Sequence, residues 1–217
     1  MDFQAARKHM VDSQVRPHDV TDTRVHAAFE TIARENYLPA ELRGQAYIDR
    51  EIRYAPTRSL ATARDFAKLV DALEIEADDL ILDVACGSGY SSAILAQLGE
   101  MVVAVEDDEA LGQAAQKNWT DAGIANTAVV NGAPAAGAPG QGPFDVIYIG
   151  GAIEVEPAAL LAQLKDGGRL GAFMRRGVSS KAVVWRKSGE IVAAQEIFDA
   201  AITTVANGFE RPRAFVF

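Results

Sequence analysis

The chain holds one cysteine, three histidines and no apolar run long enough to cross a bilayer. Cys86 alone cannot close an internal disulfide, and no histidine stands near it at metal-ligand spacing. Nothing therefore argues for a secreted disulfide scaffold or a metal site. Basic residues are scarce too, 21 against 30 acidic ones, for a formal charge of -9. At that charge a counterion-releasing grip on nucleic acid phosphates has no bulk electrostatic support. The opening decapeptide carries Arg7, Lys8 and His9 with no apolar stretch behind them, and no segment approaches the roughly 18 apolar residues of a membrane span. The expectation is a cytoplasmic protein with neither nucleic acid nor membrane as partner; oligomeric state is not legible. What the chain does have is apolar content, 49% of 217 residues, ample for the buried core of one domain.

From Asp2 to about Arg34 apolar residues recur at threes and fours: Phe3, Ala6 and Met10, then Val25, Ala28, Phe29 and Ile32. This predicts two helices separated at Pro17, the second capped by Asp22 and ended before Pro39. His9, His18 and His26 fall in this region and read as surface groups. Glu41 to about Ser59 has no period and holds Gly44 and Pro56, so it reads as an irregular segment crossing the surface. From Leu60 onward helical and strand-like runs alternate, the signature of a parallel sheet covered on both faces. The apolar runs Leu80–Val84, Met101–Val105, Thr127–Val130, Val146–Ile149 and Leu170–Met174 predict five parallel strands, each pair separated by room for a crossover helix. Ala182–Arg186 and Ile191–Ile197 flank Ser188-Gly189 and predict an antiparallel hairpin; Ala214–Phe217 is a last apolar run. Gly132 to Gly142, rich in Ala, Pro and Gly, reads as a loop. The fold class is α/β, Rossmann-like: residues 1–59 as a helical N-terminal wall, 60–217 as the core, in one domain.

The sharpest local signal is Leu82-Asp83-Val84-Ala85-Cys86-Gly87-Ser88-Gly89-Tyr90, a strand running into a glycine turn that opens a helix. Such a turn lets backbone approach a ligand at the carboxyl end of a strand. A dinucleotide fingerprint needs a third glycine at position 92, where Ser92 stands. Asp83 would repel a pyrophosphate and suits a ligand bearing an amine and a sulfonium, a description S-adenosylmethionine meets. The second signal is Glu106, ending the strand Val102-Val103-Ala104-Val105. A carboxylate there can accept from both ribose hydroxyls; it can also simply open the acidic cluster Glu106-Asp107-Asp108-Glu109 at a helix N-terminus.

Beyond these signals, nearly the whole chain resembles the protein-L-isoaspartate O-methyltransferase family. The resemblance rests on Met10-Val11-Asp12-Ser13-Gln14, Asp22-Thr23-Arg24-Val25, Ala33-Arg34-Glu35-Asn36-Tyr37-Leu38-Pro39 and Ala46-Tyr47-Ile48-Asp49. The turn Gly87–Tyr90, Phe144-Asp145-Val146-Ile147 and the stretch Leu161–Leu170 follow the same plan. The resemblance implies the class I methyltransferase fold, with S-adenosylmethionine as cofactor and S-adenosylhomocysteine as product. It implies an isoaspartyl-containing protein or peptide as acceptor, methylated on its carboxylate in protein repair. It places the cofactor on Asp83, Ala85, Gly87, Ser88, Gly89, Glu106, Asp107, Gly132 and Ala133, with Tyr47 to Thr62 as the substrate wall.

Three departures accompany the match. Ser59-Leu60-Ala61 lies over the family's Thr-Ile-Ser, leaving Ser59 as the one hydroxyl to orient substrate. Gly132-Ala133-Pro134 replaces a Gly-Asp-Gly whose acid contacts adenine, and Gly150-Gly151-Ala152 replaces a Thr-Ala-Ala-like stretch. Two alternatives stand beside the repair enzyme: a methyltransferase for another small-molecule or protein acceptor, and a non-catalytic cofactor-binding relic. Cys86, Trp119 and Trp185 read as packing residues. Arg175 and Arg176 read equally as carboxylate ligands or a solvated basic pair.

Overall fold

The structure is a computed structural model that describes residues 2–212; the run Ala214–Phe217 lies outside them. Helix α1, Phe3–Met10, starts where the Asp2 carboxylate accepts the Ala5 amide at 3.0 Å. A π turn, Val11–Val15, carries it toward Pro17. Helix α2, Thr23–Thr31, is capped by Asp22 as expected, and a 3-10 turn, Arg34–Tyr37, follows it. His26, read as a surface group, is buried in α2 with Nε2 3.0 Å from the Val20 carbonyl. Its hydrogen bond lets a polar ring occupy the apolar face of the helix.

The segment read as irregular contains a small antiparallel ribbon, β1 (Ile52–Ala55) and β2 (Arg58–Leu60), with Ile52 opposite Leu60 and Arg53 opposite Ser59. Strands of four and three residues are too short to show a period of two, which is why the pattern is invisible in the sequence. Helix α3, Ala63–Ala72, opens at Thr62, whose hydroxyl accepts the Asp65 amide.

The main sheet follows the predicted strands: β3 (Leu80–Val84), β4 (Met101–Glu106), β5 (Thr127–Asn131), β6 (Phe144–Ile153), β7 (Leu164–Arg176), β8 (Ser179–Ser188) and β9 (Ile191–Ala200). Their order is β5-β4-β3-β6-β7-β8-β9, parallel through β7 and antiparallel after it. Helices α4 (Tyr90–Leu95), α5 (Glu109–Asp121) and the single turn α6 (Ala158–Leu161) connect them. Between β5 and β6 there is no crossover α-helix, only the 3-10 turn Pro134–Ala136; the glycine-rich stretch there carries no helical apolar face.

Successive residues of β3 and β4 enter two different cores. Ile81, Val102 and Ala104 pack with residues of α1 to α5, while Leu82, Val103 and Val105 pack with α6, Ala206 and Phe209. Burial of such a side chain stabilises by about 1.5–3 kcal/mol, so both faces of the sheet hold it in place. The order reverses between β3 and β6, which opens the crevice at the carboxyl ends of β3 and β4.

Candidate functional site

Beyond Val84 the backbone turns sharply. Ala85 (φ 59°), Gly87 (57°) and Gly89 (90°) all take the left-handed region, and Gly89 leads into α4. For Ala85 this conformation costs on the order of 1 kcal/mol, and its neighbours hold it there. The Cys86 amide donates to the Val105 carbonyl at 3.2 Å. The Ser88 hydroxyl donates to the Tyr37 carbonyl at 2.5 Å, and Asn118 Nδ2 donates to the Ser88 carbonyl at 2.9 Å. Trp119 Nε1 donates to the Gly89 carbonyl at 2.9 Å. Gly150 is bare because a β-carbon there would lie 2.7 Å from the Ala85 carbonyl. One departure from the family pattern thus makes room for the strained turn.

Asp83 is fully buried beneath this turn. Its Oδ2 accepts from the Ser91 and Ser92 hydroxyls at 2.6 and 2.5 Å, while Oδ1 has no partner among the described residues. Burial pushes its carboxyl up to about 7 against the pull of the two serines, and nearby Glu106 adds to the rise. An unpartnered buried acceptor next to the turn in sequence is what an amine-bearing ligand would satisfy.

Glu106 is 1% exposed and its oxygens are saturated. Oε2 accepts from the Gly87 amide at 2.7 Å and Arg58 Nε at 2.8 Å. Oε1 accepts from Arg58 Nη2 at 2.5 Å and the Asp107 and Asp108 amides at 3.1 and 3.0 Å. Five donors on two oxygens exceed the four lone pairs a carboxylate offers. Arg58, 2% exposed, also reaches Asp107 Oδ1 at 2.5 Å. From the same ribbon, Tyr54 lays its hydroxyl against Gly87 so closely that a β-carbon there would overlap it, and it accepts the Ser88 amide at 3.3 Å.

The cavity left between Ser59, Leu60, Ala61, Cys86, Tyr148 and Gly150 has about 20 Å³, room for one water. Larger hollows surround it, about 350 Å³ beside Asn36 and Lys117, about 640 Å³ beside Arg53 and Arg175, and about 270 Å³ at the rim beside Arg58, Asp107 and Asp108, and Asp83 and Glu106 line none of the three.

The structure therefore gathers Asp83, Ala85, Gly87, Ser88, Gly89 and Glu106 around one turn. Asp107 stands at the rim, where it also accepts from Asn207 Nδ2 at 2.5 Å. Gly132 packs beside β4, its amide donating to the Glu106 carbonyl at 3.0 Å, and Ala133 is exposed at the start of the next turn. Ser59 borders the small cavity but donates its hydroxyl to Glu51 Oε1 at 2.6 Å. Arg175 is held by Glu154, and Arg176 pairs with Glu196 at 3.2 Å. Cys86 and Trp119 are buried packing residues. Sequence reasoning missed Arg58, Tyr54 and Arg34. Arg34 is buried, donates to the Ala46 and Ala61 carbonyls at 2.8 and 2.6 Å, and lies over the Tyr90 ring. No spacing marks such residues, because each acts across more than ten positions of sequence.

A strand, a ligand-approaching glycine turn and a second strand ending in a buried acid, in a sheet of this order, define a Rossmann-like methyltransferase. Residues 5–206 match the family model described as protein-L-isoaspartate(D-aspartate) O-methyltransferase. A protein-L-isoaspartate O-methyltransferase of Herpetosiphon aurantiacus is 34% identical over 87% of this chain and 84% of its own. One of Methanoculleus marisnigri is 35% identical over 76% of this chain and 74% of its own. Among solved structures, a protein described as a protein-L-isoaspartate O-methyltransferase superposes with a TM-score of 0.80 at 20% identity, over 95% of this chain and 67% of its own. A Plasmodium falciparum protein described as a putative one, in complex with S-adenosylhomocysteine, gives 0.78 at 16% identity, over 94% of this chain and 99% of its own. The chain belongs to the protein-L-isoaspartate O-methyltransferase family, whose members are S-adenosylmethionine-dependent enzymes acting on isoaspartyl residues. Among the described residues no helix is long and apolar enough to cross a membrane.

Tested against that cofactor, the frame and the space disagree. Asp83 Oδ1 and the glycine turn suit its amine end. Its ribose needs acceptors that Glu106 gives to Arg58, and its methionyl end needs the space of Tyr54. In this conformation the residues present do not accommodate the nucleoside.

Proposed function

We propose that this chain carries out its family's chemistry on a carboxylate acceptor, the free α-carboxylate of an isoaspartyl residue in a protein or peptide. The observation that favours a carboxylate is the lack of a base among the groups lining the small cavity. Burial pushes the Tyr54 phenol up to about 12 and lifts Tyr90, Tyr148 and the Cys86 thiol as well, and Arg34 is a cation. A hydroxyl acceptor needs a base to take its proton as the methyl moves, and none of these groups can take it at neutral pH. A carboxylate, with a reference pKa near 4, arrives ionised and needs only alignment and exclusion of water.

In this reading Asp83 and the Ala85–Gly89 turn hold the methionyl end of the cofactor, and Glu106 and Asp107 its ribose. Gly132 and Ala133 flank the adenine, and Ser59 belongs to the acceptor wall. The ribose goes where Arg58 stands, and the methionyl chain where Tyr54 stands. The test is labelled methyl transfer from S-adenosylmethionine to an isoaspartyl peptide, with the aspartyl peptide as control, using the native chain and Arg58→Met. Incorporation into the isoaspartyl peptide alone supports the reading. No incorporation by either folded protein sinks it in favour of another acceptor or a non-catalytic relic.

A further inference from the structure

The ribbon assigned to the substrate wall sets Arg58 against Glu106 and Tyr54 against the glycine turn. Arg58 makes the contacts a ribose would make, presenting two guanidinium nitrogens to the two oxygens of Glu106 at 2.8 and 2.5 Å. Tyr54 covers the glycine turn where a methionyl chain would pass, and its hydroxyl takes the Ser88 amide. Both come from one nine-residue ribbon, Ile52 to Leu60, paired through Ile52–Leu60 and Arg53–Ser59. The element is fastened outside the site, where Glu51 accepts from Thr203 and Thr204 of the C-terminal segment.

We propose that the β1–β2 ribbon is a tethered occupant of the nucleoside site, competing with S-adenosylmethionine for Glu106 and the Gly87 turn. The proposal takes its ligand from the functional reading above. Competition by a tethered group acts at high effective concentration, and the apparent affinity of a free ligand falls with the fraction of molecules whose ribbon is withdrawn. A bidentate charge-assisted pair is stronger than neutral hydroxyl hydrogen bonds, so the ribbon holds the site against a nucleoside at equal concentration. Gly132-Ala133-Pro134 offers no acid for the adenine amine, which leaves the cofactor fewer contacts with which to displace Arg58.

Arg58→Met removes the guanidinium and keeps the aliphatic bulk. Glu106 keeps the Gly87, Asp107 and Asp108 amides, so its charge is not stranded. Tyr54→Ala opens the turn and leaves the Arg58–Glu106 pair intact. The experiment is calorimetric titration of S-adenosylhomocysteine into native protein and both variants, with folding checked by circular dichroism. Tightening of at least tenfold in Arg58→Met, with a smaller gain in Tyr54→Ala, is expected, and a gain in either supports the proposal. Adding Glu106→Ala to Arg58→Met should abolish the gain. Binding no tighter in either variant, or a gain that survives Glu106→Ala, overturns it. The readout needs no methyl acceptor, so failed catalysis on an isoaspartyl peptide with intact tightening faults the functional reading and not this one.

Discussion

Trp119 Nε1 and the Gly89 carbonyl meet at 2.9 Å, tying α5 to the turn that opens α4. The contact leaves no space at residue 89, where a β-carbon would lie 2.6 Å from the same nitrogen. Gly89→Ala therefore meets both a left-handed φ and a collision, and should cost about 2–4 kcal/mol in denaturant unfolding. Trp119→Phe keeps most of the packing and strands the carbonyl, for a loss of about 1–3 kcal/mol.

The buried Asp83 should shape the stability–pH curve. Its carboxyl is raised from a usual 3.8 to about 7, so between those values the folded protein binds a proton that the unfolded chain has released. Stability is highest below pH 4 as far as this group is concerned, and falls as pH rises through 7, by up to about 4 kcal/mol. Asp83→Asn should flatten that fall, gaining on the native protein at pH 8 and not at pH 4. Parallel curves for the two proteins would rule the assignment out.

Glu51 should act in the opposite sense. Burial favours its neutral form, yet donors from Ser59, Thr204 and Thr203 outweigh it and hold the carboxyl below its usual value. This contribution is present above the usual carboxylate range and lost as pH falls through the depressed value. Glu51→Gln should lower stability by about 1–3 kcal/mol at neutral pH and converge with the native protein in acid. Ser59→Ala, removing one of the donors, should show about 1 kcal/mol of the same behaviour.

Arg34 joins the first helices to the ribbon region through the Ala46 and Ala61 carbonyls. Arg34→Met leaves two buried acceptors unpaired and should cost about 2–5 kcal/mol. Limited proteolysis should then cut the Tyr47–Thr62 stretch faster than in the native chain.

The central parallel strands were readable because β3 and β4 are buried on both faces, so almost all their residues are apolar: Leu80 to Val84 and Met101 to Val105 stand out as runs. Asp83 and Glu106 were readable because a charge inside such a run has few structural reasons to be there. The ribbon was not. Its residues Ile52-Arg53-Tyr54-Ala55 and Arg58-Ser59-Leu60 look like loop, since pairing four residues against three leaves no periodic trace. The pairing of Arg58 with Glu106 spans 48 positions, and local sequence carries no record of which of many surface-type arginines will be drawn inside. His26 was misread on a local contact: one bond to the Val20 carbonyl, six residues back, decides its burial.

The Arg58–Glu106 pair is almost wholly out of contact with solvent, at side-chain exposures of 2% and 0%. Mobile ions screen charges they can surround, over about 8–10 Å at physiological salt, and they cannot surround these. Ionic strength is therefore a poor key to this lock. Raising salt from dilute buffer to about half molar should weaken exposed pairs such as Lys117–Asp121 while leaving the ribbon seated. Whatever withdraws the ribbon must bring its own hydrogen-bond donors to Glu106.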